Sequence, residues 1–311
     1  MPIEAGRAGG GDARAARLLA AGFLALIALT WGLIVLGALV RAHGAGLACP
    51  DWPLCFGELV PRFDLKVAFE WGHRVTAGGV ALAFAALAAL ALQRAATRRA
   101  TARLLALAAG LLAGQVLLGA LTVWHLLARW SVTAHLLTGT SFALVLLLVA
   151  CALRDLAVPK RRPDRGSPAS TRALGLAAAL LALQVALGGL VSSSYAGLAC
   201  PEWPTCNGGL WFPAWTGSVG LHLLHRYNGY LLLATLGAAA WASRRVPGLR
   251  APALAALGLG IAQVGVGIAN VIFGLPVEVT GLHSALATAL AAALTLALRE
   301  VVVRAQPADR S

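Results

Sequence analysis

The chain has 311 residues, of which 59% are hydrophobic and only 12% charged, with a formal net charge of +13. A soluble domain of this length needs far more charge to cover its surface, so a water-soluble globule is excluded. The basic excess falls between apolar runs, which marks membrane topology and gives no nucleic-acid footprint.

Apolar runs long enough to cross a bilayer core of about 30 Å recur along the whole length. In chain order, spanning helices are expected at 18–40, 69–92, 104–127, 132–153, 173–195, 219–242, 252–273 and 279–302. The first run is too long for the apolar region of a signal peptide and has no small-residue cleavage site, so it reads as a spanning helix. Nineteen of the 25 Lys and Arg precede the first run, follow the last, or join the second to the third, the fourth to the fifth and the sixth to the seventh. Positive charge collects on the cytoplasmic side, so both termini are expected inside, in a multi-pass protein of the cell membrane.

An internal repeat organises the chain. Cys49-Pro-Asp-Trp-Pro-Leu-Cys55 returns 151 residues later as Cys200-Pro-Glu-Trp-Pro-Thr-Cys206. His73-Arg74 matches His225-Arg226, Gln115-Val116 matches Gln263-Val264, and His135 matches His283. The expected fold is therefore all-α, with eight transmembrane helices in two pseudo-symmetric four-helix bundles. The N-terminal half is 1–159, a cytoplasmic linker rich in Pro, Arg and Ser is 160–171, and the C-terminal half is 172–311. Each half has an even number of spans, so the two insert in the same orientation as a parallel repeat. Gly110 with Gly114, and Gly258 with Ala262, offer close-packing faces on the third and seventh helices.

Histidine brings in the chemistry. Of seven His, four occupy repeat-related places near the outer ends of even-numbered helices: His73, His135, His225 and His283. Two imidazoles facing each other at equal depth across a bundle can ligate one haem iron, which pairs His73 with His135 and His225 with His283. Arg74 and Arg226 follow two of these ligands and are placed to neutralise haem propionates, or else to reach the membrane interface. Glu70, three residues before His73, is either a favourable charge at a helix start or a carboxylate beside a haem edge. Its counterpart before His225 is His222, so the two halves differ here. His43 and His125 lack repeat partners and are expected to have interfacial roles. The pairs Cys49–Cys55 and Cys200–Cys206 sit in loops expected on the outer side, where disulfides form. They either brace those loops or exchange electrons.

The order Gly-Leu-Ala-Cys-Pro-Asp-Trp-Pro-Leu-Cys55, then Glu70-Trp71-Gly72-His73-Arg74, then His135 resembles the haem A synthase family, and the second half repeats it through His225-Arg226 and His283. The resemblance covers nearly the whole chain, with no departure at the four histidines or Glu70. It implies an oxidoreductase that converts the C8 methyl of haem O to the formyl group of haem A for assembly of aa3-type cytochrome oxidase. It implies that His225 and His283 hold a resident haem B, and that His73, His135 and Glu70 receive the substrate haem O, with Glu70 catalytic. A haem O synthase and an electron acceptor in the membrane are the expected partners, and a homo-oligomer is open. The competing reading from the residues is a bis-haem cytochrome b that exchanges electrons with quinone.

Overall fold

The computed structural model describes residues 10–158 and 167–305. Most of the expected 160–171 linker lies outside the described residues. The described chain forms eight α-helices: α1 (Gly10–Ala42), α2 (Leu65–Gln93), α3 (Ala95–Trp124), α4 (Arg129–Ala157), α5 (Pro168–Ser193), α6 (Gly217–Ser243), α7 (Arg250–Ile272) and α8 (Val277–Ala305). In hydrocarbon every backbone N–H and C=O needs a partner within the segment, and Ala- and Leu-rich runs meet that demand as helices. Local chemistry marks some ends. Asp64 caps α2 by accepting the Val67 N–H at 2.8 Å, and Ser167 caps α5 ahead of Pro168 by accepting the Ser170 N–H at 3.1 Å.

All eight expected helices are present, but α3, α5 and α7 stop short of the expected 127, 195 and 273. The chain turns there through Leu126, Leu127, Tyr195 and Leu275, whose φ angles of 50°, 59°, 53° and 63° are left-handed. These residues are as apolar as the helices they end, so composition does not announce the stop. Seven helices are long and apolar enough to cross a membrane. The eighth, α6, is long enough but carries His222, His225, Arg226, Tyr227 and Asn228 in its first half. The protein is thus an all-helical, multi-pass membrane protein.

Packing follows the repeat. Within the first half α1 touches α2 and α4, and α3 touches α2 and α4; within the second, α5 touches α6 and α8, and α7 touches α6 and α8. Each half is a closed four-helix ring with its own apolar core, Phe23, Phe84, Phe142 and Leu146 in one and Leu174, Leu236, Leu290 and Leu294 in the other. The seam between them is made by α1 against α8 and α4 against α5 and α8. The expected close-packing face on α3 and α7 is not used as supposed. A Cβ on Gly110 or Gly258 would meet nothing within 4 Å, and one on Gly114 would only touch Thr138 at 3.9 Å. The tight approaches lie elsewhere on these helices: a Cβ on Gly260 would meet Leu236 at 2.7 Å, and those on Gly119 and Gly267 would meet His135 and His283 at 3.4 Å and 3.3 Å.

Candidate functional site

Each half ends in a short loop closed by a disulfide, Cys49–Cys55 in the first and Cys200–Cys206 in the second, with Cα atoms 4.7 Å apart in both. The sulfurs are buried against Val67, Ala48 and Trp71 in one loop and against Leu223, Val219 and Tyr227 in the other. A closed loop of this kind leaves carbonyls pointing inward with no helix or sheet partner, and each needs a donor. Arginine supplies it. Arg74 donates through Nη1 to Asp51 O (2.6 Å) and Leu54 O (2.5 Å), and through Nη2 to Cys49 O (3.2 Å). Arg226 donates to Thr205 O (3.1 Å), Cys200 O (2.6 Å) and Glu202 O (2.8 Å). These guanidiniums, expected either to meet propionates or to reach the membrane interface, fit the inward carbonyls with their five-donor forks, and the loops take most of those donors.

Glu70 and His222 complete the two latches differently. Glu70 is only 5% exposed; it accepts the Cys49 N–H at 2.8 Å and pairs with Arg74 Nη2 at 2.7 Å. His222 is 4% exposed; its Nδ1 lies 3.0 Å from Ala196 O, and its Nε2 accepts from Arg226 Nε at 3.0 Å. Both ring nitrogens of His222 are engaged. The acceptor for the arginine is a carboxylate in one half and a neutral imidazole in the other. On the outer rim of each loop Asp51 receives the N–H groups of Phe56 and Gly57, and Glu202 those of Gly208 and Gly209. These bonds hold both carboxyls below their ordinary range: Gly57, then Phe56 and the nearby Arg74 for Asp51, and Gly208, then Gly209 for Glu202.

One turn below the latches stand the four histidines. The rings of His73 and His135 face each other across the first bundle with centroids 6.4 Å apart. His225 and His283 occupy the matching places in the second. Each ring rests against a glycine on the neighbouring odd-numbered helix. A Cβ on Gly37 would lie 3.2 Å from His73, on Gly119 3.4 Å from His135, on Gly188 3.1 Å from His225, and on Gly267 3.3 Å from His283. These small residues are cradles: any side chain there would press on the imidazole. His43 and His125 stay at the periphery as expected, His43 stacked on Phe69 at 4.2 Å and His125 beside Trp130.

The arrangement fits a haem in each half. Two imidazoles bound to one metal through nitrogens at about 2 Å place their ring centres roughly 6 Å apart, the separation of His73 and His135. The same two atoms are buried without a hydrogen-bond partner among the described residues in each half: Gln115 Oε1 and His135 Nδ1 in the first, Gln263 Oε1 and His283 Nδ1 in the second. Orphans of this kind call for a ligand, and here they recur with the repeat. Among the described residues no three His, Cys, Asp or Glu converge as they do around a bare metal ion. Two axial ligands are what a porphyrin iron requires of a protein.

The glutamines and glycines beside the rings were not singled out as site residues by the sequence reading. Gln115 Nε2 lies 3.1 Å from His135 Nε2, and Gln184 Nε2 3.2 Å from His225 Nδ1. Gly139 and Gly229, one turn past those histidines, make room for the amides, since a Cβ there would stand 2.9 Å and 3.2 Å from Gln115 and Gln184 Nε2. The signal was available as Gln-Val-x-x-Gly in three odd-numbered helices, of which only Gln115-Val116 and Gln263-Val264 stood out as repeat markers.

Comparison with known proteins points the same way. A family whose sequence model is described as "Cytochrome oxidase assembly protein" matches residues 21–68 and 62–295. The protein named Heme A synthase from Symbiobacterium thermophilum is 32% identical over 277 residues, 85% of this chain and 87% of that relative. Proteins of the same name from Halalkalibacterium halodurans and Shewanella oneidensis are 32% and 35% identical, over 67% and 57% of their own lengths and 64% and 56% of this chain. The match runs through both disulfide loops and all four histidines, and the chain belongs to the COX15-CtaA family of cytochrome oxidase assembly proteins.

Proposed function

We propose that this protein is a haem A synthase, an oxidoreductase that converts the C8 methyl of haem O to the formyl group of haem A for aa3-type cytochrome oxidase. The observation that carries the proposal is the pair of repeat-related histidine sites, each with a glycine cradle, in a chain whose relatives are named Heme A synthase. The N-terminal half, 1–159, takes the substrate haem O between His73 and His135. The C-terminal half, 172–311, joined through 160–171, holds a haem B between His225 and His283. That haem supplies one-electron redox chemistry when bound.

The chain's own residues orient the substrate and move protons. Glu70 is the catalytic carboxylate. Both of its oxygens are engaged, by Cys49 N–H and Arg74, but each keeps a lone pair for a proton or a developing positive charge. Arg74 and Arg226 hold the loops over the pockets and bring positive charge to the mouths where propionates emerge. The disulfide loops lie on the outer side of the cell membrane, above the histidines. Partners are the haem O substrate, a haem O synthase that delivers it and a membrane electron acceptor. The difference between Glu70 and His222 argues against a plain electron-transfer cytochrome b, which has no need of unlike pockets.

The test is to express the chain with a haem O synthase and to extract and chromatograph the haems. Haem A that depends on the intact chain is the expected result. Two equivalents of haem B with no haem A would replace the synthase with the quinone-linked cytochrome.

A further inference from the structure

Each disulfide loop runs on into an apolar segment that ends where the next helix starts, and the two segments are repeat counterparts. Leu59-Val60 in the first half returns 151 residues later as Leu210-Trp211. Phe63 and Trp215 each stand directly before the residue at the head of the even-numbered helix, Asp64 for α2 and Thr216 for α6. All six side chains are exposed, Leu59 to 81%, although none belongs to a spanning helix. The second segment is also uncharged, with no Asp, Glu, Lys or Arg between Glu202 and Arg226.

Both segments are fastened to the bundle in the same way. Trp71 on α2 donates its indole N–H to Leu59 O at 2.8 Å, and Tyr227 on α6 donates its hydroxyl to Trp211 O at 3.0 Å. Phe63 meets Trp71 edge-on with ring centroids 5.1 Å apart, and Phe212 stacks on Trp215 at 5.4 Å and leans on Tyr227 at 5.3 Å. Trp71 and Tyr227 stand six and ten residues into their helices, about 9 Å and 15 Å along the axis. These bonds draw the segments down beside the helices and keep them from rising into the space above the bundle. The apolar side chains are left uncovered.

The chemistry of the segments limits what covers them. Side chains this apolar gain by leaving water, yet a coil with incompletely paired backbone groups does not enter hydrocarbon. The headgroup layer between the two suits both demands, and Trp, with an apolar body and one polar handle, is enriched there. Symmetry narrows the choice further. The halves form a parallel repeat, whose axis runs along the membrane normal, so repeat counterparts lie at one depth on opposite sides of the bundle. A protein partner would meet one segment or have to reach round to the other, whereas the plane of a leaflet meets both. We propose that residues 59–63 and 210–215 lie in the headgroup layer of the leaflet at the loop-bearing end and anchor both disulfide loops to lipid. The anchors hold the loops, and with them the Arg74 and Arg226 latches, at a fixed depth. This surface does not depend on what the histidines bind.

The depth of a nitroxide tests the anchor. Leu59→Cys, Leu210→Cys and, as a control, Gly11→Cys are introduced singly into the full-length chain carrying Cys151→Ser. Gly11 is exposed at the start of α1, seven residues before the first apolar run. Each variant is labelled without reductant, so that the disulfides stay closed, and placed in phosphatidylcholine vesicles. Collisions with oxygen, which concentrates in lipid, are compared with those of a water-soluble nickel chelate. The ratio of oxygen to chelate collisions is expected to be higher at 59 and 210 than at 11, and similar at the two. A ratio as low as the control at either position would overturn the anchor. Poor access to both reagents would also overturn it, by showing that protein, such as a second copy of the chain, covers the segment. Brominated phosphatidylcholine gives a second readout without a label. The fluorescence lost on changing Trp211→Phe and Trp215→Phe together is expected to be largely quenched by bromine placed next to the headgroups. If bromine leaves that fluorescence unchanged, the second segment stands clear of lipid and the proposal fails.

Discussion

Glu70 has two duties that point in different directions. As a latch it holds Cys49 N–H and Arg74, and as a catalytic carboxylate it faces the chemistry. The pair is poorly hydrated, with the side chains of Glu70 and Arg74 only 7% and 15% exposed. Removing one partner of such a pair strands the other and costs about 3–5 kcal/mol. Glu70→Gln keeps the shape and a carbonyl oxygen for Cys49 N–H but drops the negative charge. It is expected to retain haem B and an ordered loop while haem A output falls by about a hundredfold, the low end of general acid–base contributions of roughly 10²–10⁴. Glu70→Ala is expected to lose output and also to quicken deuterium uptake across 49–58. Normal haem A from both variants would confine Glu70 to the latch. Asp51 gives the same loop a pH dependence. Its carboxyl is held below the ordinary value of 3.8, so its clamp on Gly57 and Phe56 is complete above that value and is lost as pH falls through the lowered one. Deuterium uptake at Phe56 and Gly57, corrected for intrinsic exchange, is expected to be flat down to about pH 4 and to rise below it. In Asp51→Asn it should be raised throughout and lose that step.

Among the elements, the odd-numbered helices do the least visible work. They carry no candidate ligand, yet each sets the space in which a histidine on the next helix stands. Gly188 on α5 illustrates the tolerance, because even a methyl there would sit 3.1 Å from His225. Gly188→Val is expected to strip haem from the C-terminal pocket while the N-terminal one still loads, read as loss of about one of two equivalents on purification. Retention of both would mean that α5 can yield and the cradle is not needed. How much of this was legible follows from the same elements. The eight helices could be read because an apolar run has few other ways to satisfy its backbone. Their ends could not, since Leu126, Tyr195 and Leu275 turn through left-handed backbone with side chains no different from those in the helix. The histidines stood out because ionisable groups are rare in apolar runs. The glutamines were partly visible, but Gln184 belongs to the first helix pair of its half and Gln115 to the second. A search for matches between halves aligns Gln184 with Leu33 and passes over it. The latches were not legible, because they join Arg74 and Arg226 to backbone carbonyls, which no side-chain pattern records.

For the whole molecule the repeat decides more than the pockets. Arg41 near the end of α1 donates to Ser192 O at 2.6 Å and stacks over Tyr195 at 4.2 Å, and Ser192 is the residue that occupies its own repeat position in the second half. A residue can reach its own counterpart only near the axis that relates the halves, so the seam passes through the loop-bearing end of the bundle. Both disulfide loops and all four histidines therefore share one end, and the connections between α2 and α3, α4 and α5, and α6 and α7 share the other. The charge distribution gives an expectation for the sides: Arg94, Arg98, Arg99, Arg103, Arg154, Arg172, Arg244, Arg245 and Arg250 all flank those connections. Lys and Arg near helix ends resist translocation, so that end is expected in the cytoplasm and the loops outside. A phosphatase that is active only outside the cytoplasm, inserted after Glu58 or after Gly208, is expected to be active, and after Arg98, Arg162 or Arg245 to be silent. A fluorescent protein that matures only in the cytoplasm should give the opposite pattern. Because the halves are parallel, activity at one disulfide loop and silence at the other would contradict the repeat itself, whereas reversal at all five positions would overturn only the charge assignment.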